Sequence, residues 1–312
     1  PPEDPGPAGQ QLRHAGLKAV IAACRLCPRK CGVPRGETGN GVCRSGEKAR
    51  VARAALHRWE EPPISGQRGS GTVFFTGCTL GCAFCQNGDI SHGKLAGREV
   101  TPQELSEIFF RLVEEGAHNI NLVTPTHFVP QIRQALLLKK LPVPVVYNTS
   151  GYERVETLRL LEGLVDIYLP DYKYDDPSLA KQLSRAEDYP TVARAAIAEM
   201  VRQVGAPVYG EDGMMQRGVL VRHLILPGHT RNSIACLKRL KEEFPGIPVS
   251  LMAQYTPCGE LDRFPELCRP ITRREQEKVE GVLFDLGLEG FTQERKARGQ
   301  QYIPDWDMAS PS

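Results

Sequence analysis

Phe74-Phe75-Thr76-Gly77-Cys78-Thr79-Leu80-Gly81-Cys82-Ala83-Phe84-Cys85-Gln86-Asn87 is the stretch from which the rest of the chain is read. Its first residues end a strand-sized apolar run over 72–76. At Gly77 it passes into a loop holding Cys78, Cys82 and Cys85, with three and then two residues between them. Gly77 and Gly81 permit the tight backbone turns that bring three thiols around one small object. An iron–sulfur cubane is such an object, each thiolate holding a different iron. Three thiolates for four irons leave one iron open, and Phe84 offers a flat apolar surface beside the third cysteine. The competing reading is one zinc ion with a fourth ligand from elsewhere.

Downstream of that loop, strand-like and helix-like segments alternate. Short Val-, Ile- and Leu-rich strands are predicted over 72–76, 119–123, 143–148, 165–169, 219–226 and 248–252. Helices are predicted over 102–115, 128–139, 154–162, 191–204, 232–243 and 273–286. Thr101-Pro102 with Glu104 is a helix start, with an N-cap, a proline at N1 and an early acid. Six β-then-α units imply a parallel sheet with right-handed crossovers, covered on both faces. Periodicity alone does not separate a barrel from a doubly wound open sheet.

The whole chain has 312 residues, 41% of them hydrophobic and 24% charged, with ten cysteines and a formal net charge of +2. That composition excludes wholesale disorder and collagen-like sequence. Near-neutral charge gives no bulk electrostatic reason to expect nucleic acid or an anionic membrane as partner. No run reaches the ~18 uncharged apolar residues that a membrane span needs. Seven cysteines fall in two clusters, and Pro1 to Gln10 is polar and Pro/Gly-rich with no apolar leader-like core. Clustered thiols in a long chain point to metal ligands in a reducing cytoplasm, not to a secreted disulfide framework.

The cysteine spacing, the aromatic before Cys85 and the position after the first strand resemble the radical S-adenosylmethionine (SAM) superfamily. Phe75-x-Gly77-Cys78 and Cys85-x-Asn87 are similar to the pyruvate formate-lyase activating enzymes, and the upstream four-cysteine segment to the PflX-type members. The resemblance implies a partial (β/α)6 barrel with a small N-terminal cysteine-rich metal module. The expected division is a flexible tail over 1–16, the module over 17–56, a linker over 57–70, the barrel over 71–290 and a C-terminal tail over 291–312. A helix is expected over 11–23, leading into the module. The resemblance also implies a [4Fe–4S] cluster on Cys78, Cys82 and Cys85, and SAM on its open iron. An electron donor such as a flavodoxin or ferredoxin would then be a partner.

In such barrels function collects where strands end. Thr124 stands where the family binds the SAM amino group, so its hydroxyl or carbonyl is expected there. Asn148-Thr149-Ser150-Gly151 resembles the activases' Asp-Thr-Asn-Gly, and Asp171-Tyr172-Lys173 their Asp-x-Lys. Alternation places Asp171 and Lys173 on one face, where the ammonium is expected to meet a SAM carboxylate. Arg222 interrupts an apolar strand, so it needs an anionic partner; the resemblance makes it a cofactor contact. Phe84, Thr124, Asn148, Asp171, Lys173 and Arg222 are therefore the cofactor-binding candidates. No side chain is assigned a catalytic role, because the cofactors carry the reaction. His223 reads as a core histidine, and Tyr255 as an aromatic at the mouth.

Cys24-x2-Cys27-x3-Cys31-x11-Cys43 supplies four thiolates from a segment too poor in apolar residues to fold without a staple. Structural zinc and a fully ligated iron–sulfur cluster both suit it. Cys236 reads as a buried small hydrophobe and Cys268 as packing. Cys258 follows the sixth strand near the expected mouth as a bystander. The function implied is reductive cleavage of SAM to a 5′-deoxyadenosyl radical that abstracts hydrogen, from a glycine of a partner enzyme in the activase-like case. The alternatives are radical modification of a small molecule or peptide, and an iron–sulfur electron carrier that leaves SAM intact.

Overall fold

Every residue of the strand Ser70–Phe75 is buried, which a strand sustains only when layers cover both its faces. In the computed structural model, which describes residues 23–36, 39–259 and 261–292, this strand stands at the start of a parallel run. In chain order the strands are β1 (Ala49–His57), β2 (Ser70–Phe75), β3 (Arg98–Val100), β4 (Ile120–Val123), β5 (Val145–Thr149), β6 (Ile167–Pro170), β7 (Val208–Tyr209), β8 (Met215–Val219), β9 (Val221–Leu224), β10 (Val249–Met252) and β11 (Gly290–Thr292).

Parallel pairing runs β2-β4-β5-β6-β8, then β9-β10-β11. Only Leu220 separates β8 from β9, and a parallel bridge between Asp171 and Arg222 joins the two sheets. The order follows the chain without reversal. A doubly wound sheet reverses at a switch point; this one does not, and the partial barrel is the fold formed. The strand expected over 219–226 is broken at Leu220, whose N–H donates to Tyr168 O at 3.0 Å.

The helices α1 (Pro102–Glu114), α2 (Val129–Leu138), α3 (Pro177–Ser184), α4 (Tyr189–Val204), α5 (Thr230–Glu243) and α6 (Arg273–Asp285) supply the outer layer. Thr101 caps α1 in a reciprocal capping box with Glu104, satisfying two N-terminal amides at once. The helix expected over 154–162 is a single turn, Val155–Leu158, continued as a 3-10 turn. Residues 174–219 hold α3, α4 and the β7–β8 hairpin.

Composition misplaced three boundaries. Residues 49–57 form β1, an antiparallel neighbour of β2, with β3 beyond it; Arg50 and Arg53 had hidden the strand inside the cysteine-rich segment. Residues 57–70 are no free linker: Glu61, Ile64 and Ser65 are buried, and Pro62–Ser65 forms a helical turn. At the other end, Phe291 and Thr292 belong to β11 and not to a tail. The tail over 1–16, residues 293–312 and all but the last residue of the helix expected over 11–23 lie outside the described residues.

Strand alternation sorts the lumen into layers. Ile64, Val146, Ile167, Leu169, Met215 and Leu220 form one buried apolar cluster at the floor. Two residues further along three of those strands stand Asn148, Asp171 and Arg222. An apolar floor beneath a polar layer at the strand ends is what positions the site.

Candidate active site

A cavity of about 680 Å3 opens at the carboxyl ends of the strands and down the lumen. Cys78, Cys82, Cys85, Phe84, Thr124, Asn148, Asp171, Lys173 and Arg222 all line it, so one cavity gathers the first cysteine set and every cofactor-binding candidate. The loop that carries the cysteines is held from behind. Gly77 adopts φ +80°, and a Cβ there would lie 2.3 Å from Cys43 O. Only glycine meets both demands.

Among the described residues no three His, Cys, Asp or Glu side chains gather around a single-ion position. A cubane asks for less convergence, since each thiolate takes a separate iron. Burial pushes the Cys85 thiol up to about 12, and the neighbouring Cys82 and Cys78 push the same way. Burial raises Cys78 too. Three thiolates side by side require a cationic centre among them, and an iron–sulfur cluster fits that donor set.

Arg222 is the hub of the polar layer. Its Nε donates to Asp171 Oδ1 at 3.0 Å, Nη1 to Glu60 Oε2 at 3.3 Å, and Nη2 to Asn148 Oδ1. The anionic partner its burial required is thus a pair of carboxylates. Lys173 Nζ donates to Asp171 Oδ2 at 2.6 Å. Burial alone would raise the Asp171 carboxyl, but Arg222 and Lys173 outweigh it and hold it below the usual range. Burial raises Glu60, with Arg222 opposing. Asn121 Nδ2 donates to Glu60 Oε1 at 3.2 Å.

Thr124 sits at φ +58°, a left-handed conformation costly for a β-branched residue. Its N–H donates to Asn148 O at 3.0 Å, tying the β4 and β5 ends together. One step behind, Glu153 accepts from the hydroxyls of Thr126 and Thr149. Burial pushes this carboxyl up to about 7 despite those bonds, and its Oε2 has no hydrogen-bond partner.

The four-cysteine segment packs against the same loop. Arg29 lies between Cys27 and Cys31; its Nε donates to Thr79 O at 3.0 Å and its Nη2 to Leu80 O at 3.0 Å and Ser184 O at 2.8 Å. Arg35, 2% exposed, donates to Gly46 O and His127 O and forms no ion pair with a carboxylate among the described residues. The Arg35 charge lies close enough to Cys24 to oppose the rise that burial imposes on that thiol. Cys24, Cys27 and Cys43 are buried and Cys31 is half-buried.

Two other expectations change, those for Tyr255 and Cys268. Tyr255 is buried, its hydroxyl donating to Leu267 O at 2.8 Å, with its ring 6.3 Å from that of Phe84; it backs the cysteine loop from inside. Cys268 is exposed, not packed, because it ends a short 3-10 turn at the surface. Cys236 is buried in α5 and His223 in the core, its Nδ1 2.6 Å from Tyr172 O. Cys258 Sγ lies 3.6 Å from Phe84 O. Glu60, Glu61 and Glu153 were missed. Two acids before Pro62-Pro63 gave no usable signal, since adjacent carboxylates are costly to bury and these two depend on Arg222.

The sequence pattern of the radical SAM superfamily matches residues 72–243, more than half of the chain. The Methanocaldococcus jannaschii protein MJ0674 is 29% identical over 274 residues, covering 84% of this chain and 74% of that one. A second protein of that organism, MJ0808, is 26% identical over 152 residues, 44% of this chain and 46% of its own length. Among solved structures, SuiB of Streptococcus suis bound to S-adenosylmethionine aligns with a TM-score of 0.49 at 13% identity, over 70% of this chain and 48% of that one. A domain of pyruvate-formate lyase-activating enzyme from Bacteroides vulgatus aligns with a TM-score of 0.38 at 14% identity, over 62% and 91%. The chain spans about half the length of SuiB. No helix among the described residues is long and apolar enough to cross a membrane.

Proposed function

Because this chain belongs to the radical SAM superfamily, we propose that it uses a [4Fe–4S] cluster held by Cys78, Cys82 and Cys85 to cleave SAM and abstract a hydrogen atom from its substrate. The observation that carries the reading is the single cavity shared by those cysteines, Lys173, Asp171, Arg222, Asn148 and Thr124. When bound and reduced, the cluster supplies the electron that opens the SAM sulfonium and so generates the abstracting radical.

The side chains bind, orient and exclude water. Lys173 and Arg222 offer cationic N–H donors at the strand ends, suited to a carboxylate. Asp171 holds both in place. Thr124, turned into a left-handed conformation, offers hydroxyl and carbonyl acceptors at the rim for an ammonium. Phe84, braced by Tyr255, gives an apolar surface for a purine. The buried lumen beneath keeps water from a reactive intermediate.

The finer reading takes the hydrogen from a glycine of a partner enzyme, as the likeness of residues 148–151 and 171–173 to the activases suggests. We assign Cys24, Cys27, Cys31 and Cys43 a second metal centre. Buried Arg35 beside Cys24 supports an anionic thiolate centre there, since a buried cation requires a counter-charge.

The test is anaerobic reconstitution with iron and sulfide, then reduction in the presence of SAM. The expected product is 5′-deoxyadenosine, well above a Cys82→Ala control. Equal amounts from both proteins would remove the enzyme reading and leave an electron carrier. Deuterium appearing in 5′-deoxyadenosine from a glycine-deuterated partner is the expected sign of the activase case; its absence with the partner present overturns that case.

A further inference from the structure

Five buried or nearly buried charged groups line the lumen cavity: Glu60, Glu61, Asp171, Lys173 and Arg222. Carboxylates outnumber cations. Arg222 is shared by Asp171 and Glu60, and Lys173 is committed to Asp171. Glu61 is 1% exposed, and no ion pair reaches it among the described residues. Its Oε2 has no hydrogen-bond partner, and neither do two nearby buried polar atoms behind the cavity lining, Ser250 Oγ and Asn121 Oδ1. The unpartnered oxygens of Glu61 and Asn121 are acceptors; the Ser250 hydroxyl can accept or donate, and with Arg222 it opposes the rise that burial imposes on Glu61. A buried carboxylate left this way is costly unless a ligand completes it.

Resting on the radical SAM reading above, we propose that Glu61 receives an alkylammonium or guanidinium group of the substrate, making this enzyme selective for a cationic substrate. The placement sets this acid apart from Lys173 and Thr124, while Arg222 stands close enough to act on it. Lys173 and Thr124 stand at the strand ends beside the cysteine loop. Glu61 instead comes from the β1–β2 connection and lies near Ser250, which pairs in register with Arg222, above the apolar floor that includes Ile64. A ligand whose radical target sits at the cluster would reach down the lumen with its cation. An ammonium carries three N–H donors and a guanidinium five, which matches the unpartnered oxygen of Glu61.

The test uses the full chain, reconstituted and anaerobic, with n-butylammonium, n-butylguanidinium and neutral 1-pentanol as probes, read by saturation-transfer NMR. The native protein and Glu61→Asp are expected to bind at least one cation about tenfold tighter than the alcohol, and Glu61→Gln to lose that preference. Equal affinity of the cations for native protein and Glu61→Gln, or no cation preference in native protein and Glu61→Asp, overturns the proposal. A matching tenfold loss of SAM affinity in Glu61→Gln would hand the acid to SAM's own ammonium and also overturn it. Cleavage of SAM by the native protein is scored separately, so a failed cluster reading shows as lost 5′-deoxyadenosine with the cation preference intact.

Discussion

Arg29 donates from Nη2 to the carbonyl of Leu80, 3.0 Å away, so a side chain from inside the four-cysteine segment holds the loop between Cys78 and Cys82. The same guanidinium also reaches Thr79 and the end of α3 and lies 5.2 Å from the centre of the Tyr152 ring. A planar fork is needed for so many carbonyls at once.

Arg29→Ala is therefore expected to lower stability by about 2–4 kcal/mol and to reduce the iron retained at the Cys78 loop. Arg29→Lys keeps the charge without the fork and falls in between. Thermal melts and iron analysis of the purified variants check this; unchanged iron in Arg29→Ala would show that the loop holds itself.

Arg222 carries a different load. Replacing it with Met leaves Asp171 and Glu60 without their guanidinium, a loss of about 3–5 kcal/mol when one partner of a buried pair is removed. Arg222→Lys restores charge but not the three-way geometry, and an intermediate value is expected. Urea denaturation at neutral pH measures both.

Glu153 sets a pH dependence. Its carboxyl sits at about 7 in the folded chain against an ordinary 4.5, so between those values the folded chain holds a proton that the unfolded chain releases. The stability tied to that proton is complete below about pH 4.5 and is lost as pH rises through about 7. Glu153→Gln, which mimics the protonated acid, is expected to flatten this slope, gaining about 1–3 kcal/mol on the native protein between pH 5 and pH 8. Urea midpoints at the two pH values decide it, and parallel slopes would count against the buried acid as the cause.

The two cysteine sets are expected to lose metal separately. Cys24→Ala should remove the metal of the upstream set and leave the Cys78 set loaded, whereas Cys82→Ala should do the reverse. Metal analysis of each variant, with zinc and iron measured together, gives the identity of the upstream metal as well as its presence. A Cys24→Ala protein with the native metal content would mean that the upstream set binds none.

What the sequence disclosed follows the range of the forces involved. Cys78, Cys82 and Cys85 were legible because one loop fixes their spacing. Asn148, Asp171 and Arg222 were legible because polar residues at the ends of apolar strands stand out against the period of two. Glu60 and Glu61 were not, since the Pro-rich connection that holds them has no period, and their burial depends on Arg222, far away in sequence. Arg29 and Arg35 were not singled out, because their partners are backbone carbonyls, which leave no mark in composition. β1 was missed for a related reason, as a half-buried strand with arginines on its open face looks like a charged loop.

The close approach of Gly77 to Cys43 also bears on how this molecule can be cut. With the residue before Cys78 resting on the backbone of the last upstream cysteine, and Arg29 and Arg35 reaching across the same seam, a fragment trimmed to the β-strand core would expose a raw surface directly behind its reactive loop. A fragment that keeps the reactive loop backed therefore retains Cys24 to Cys43, and a chimera that exchanges one cysteine set must bring the other with it.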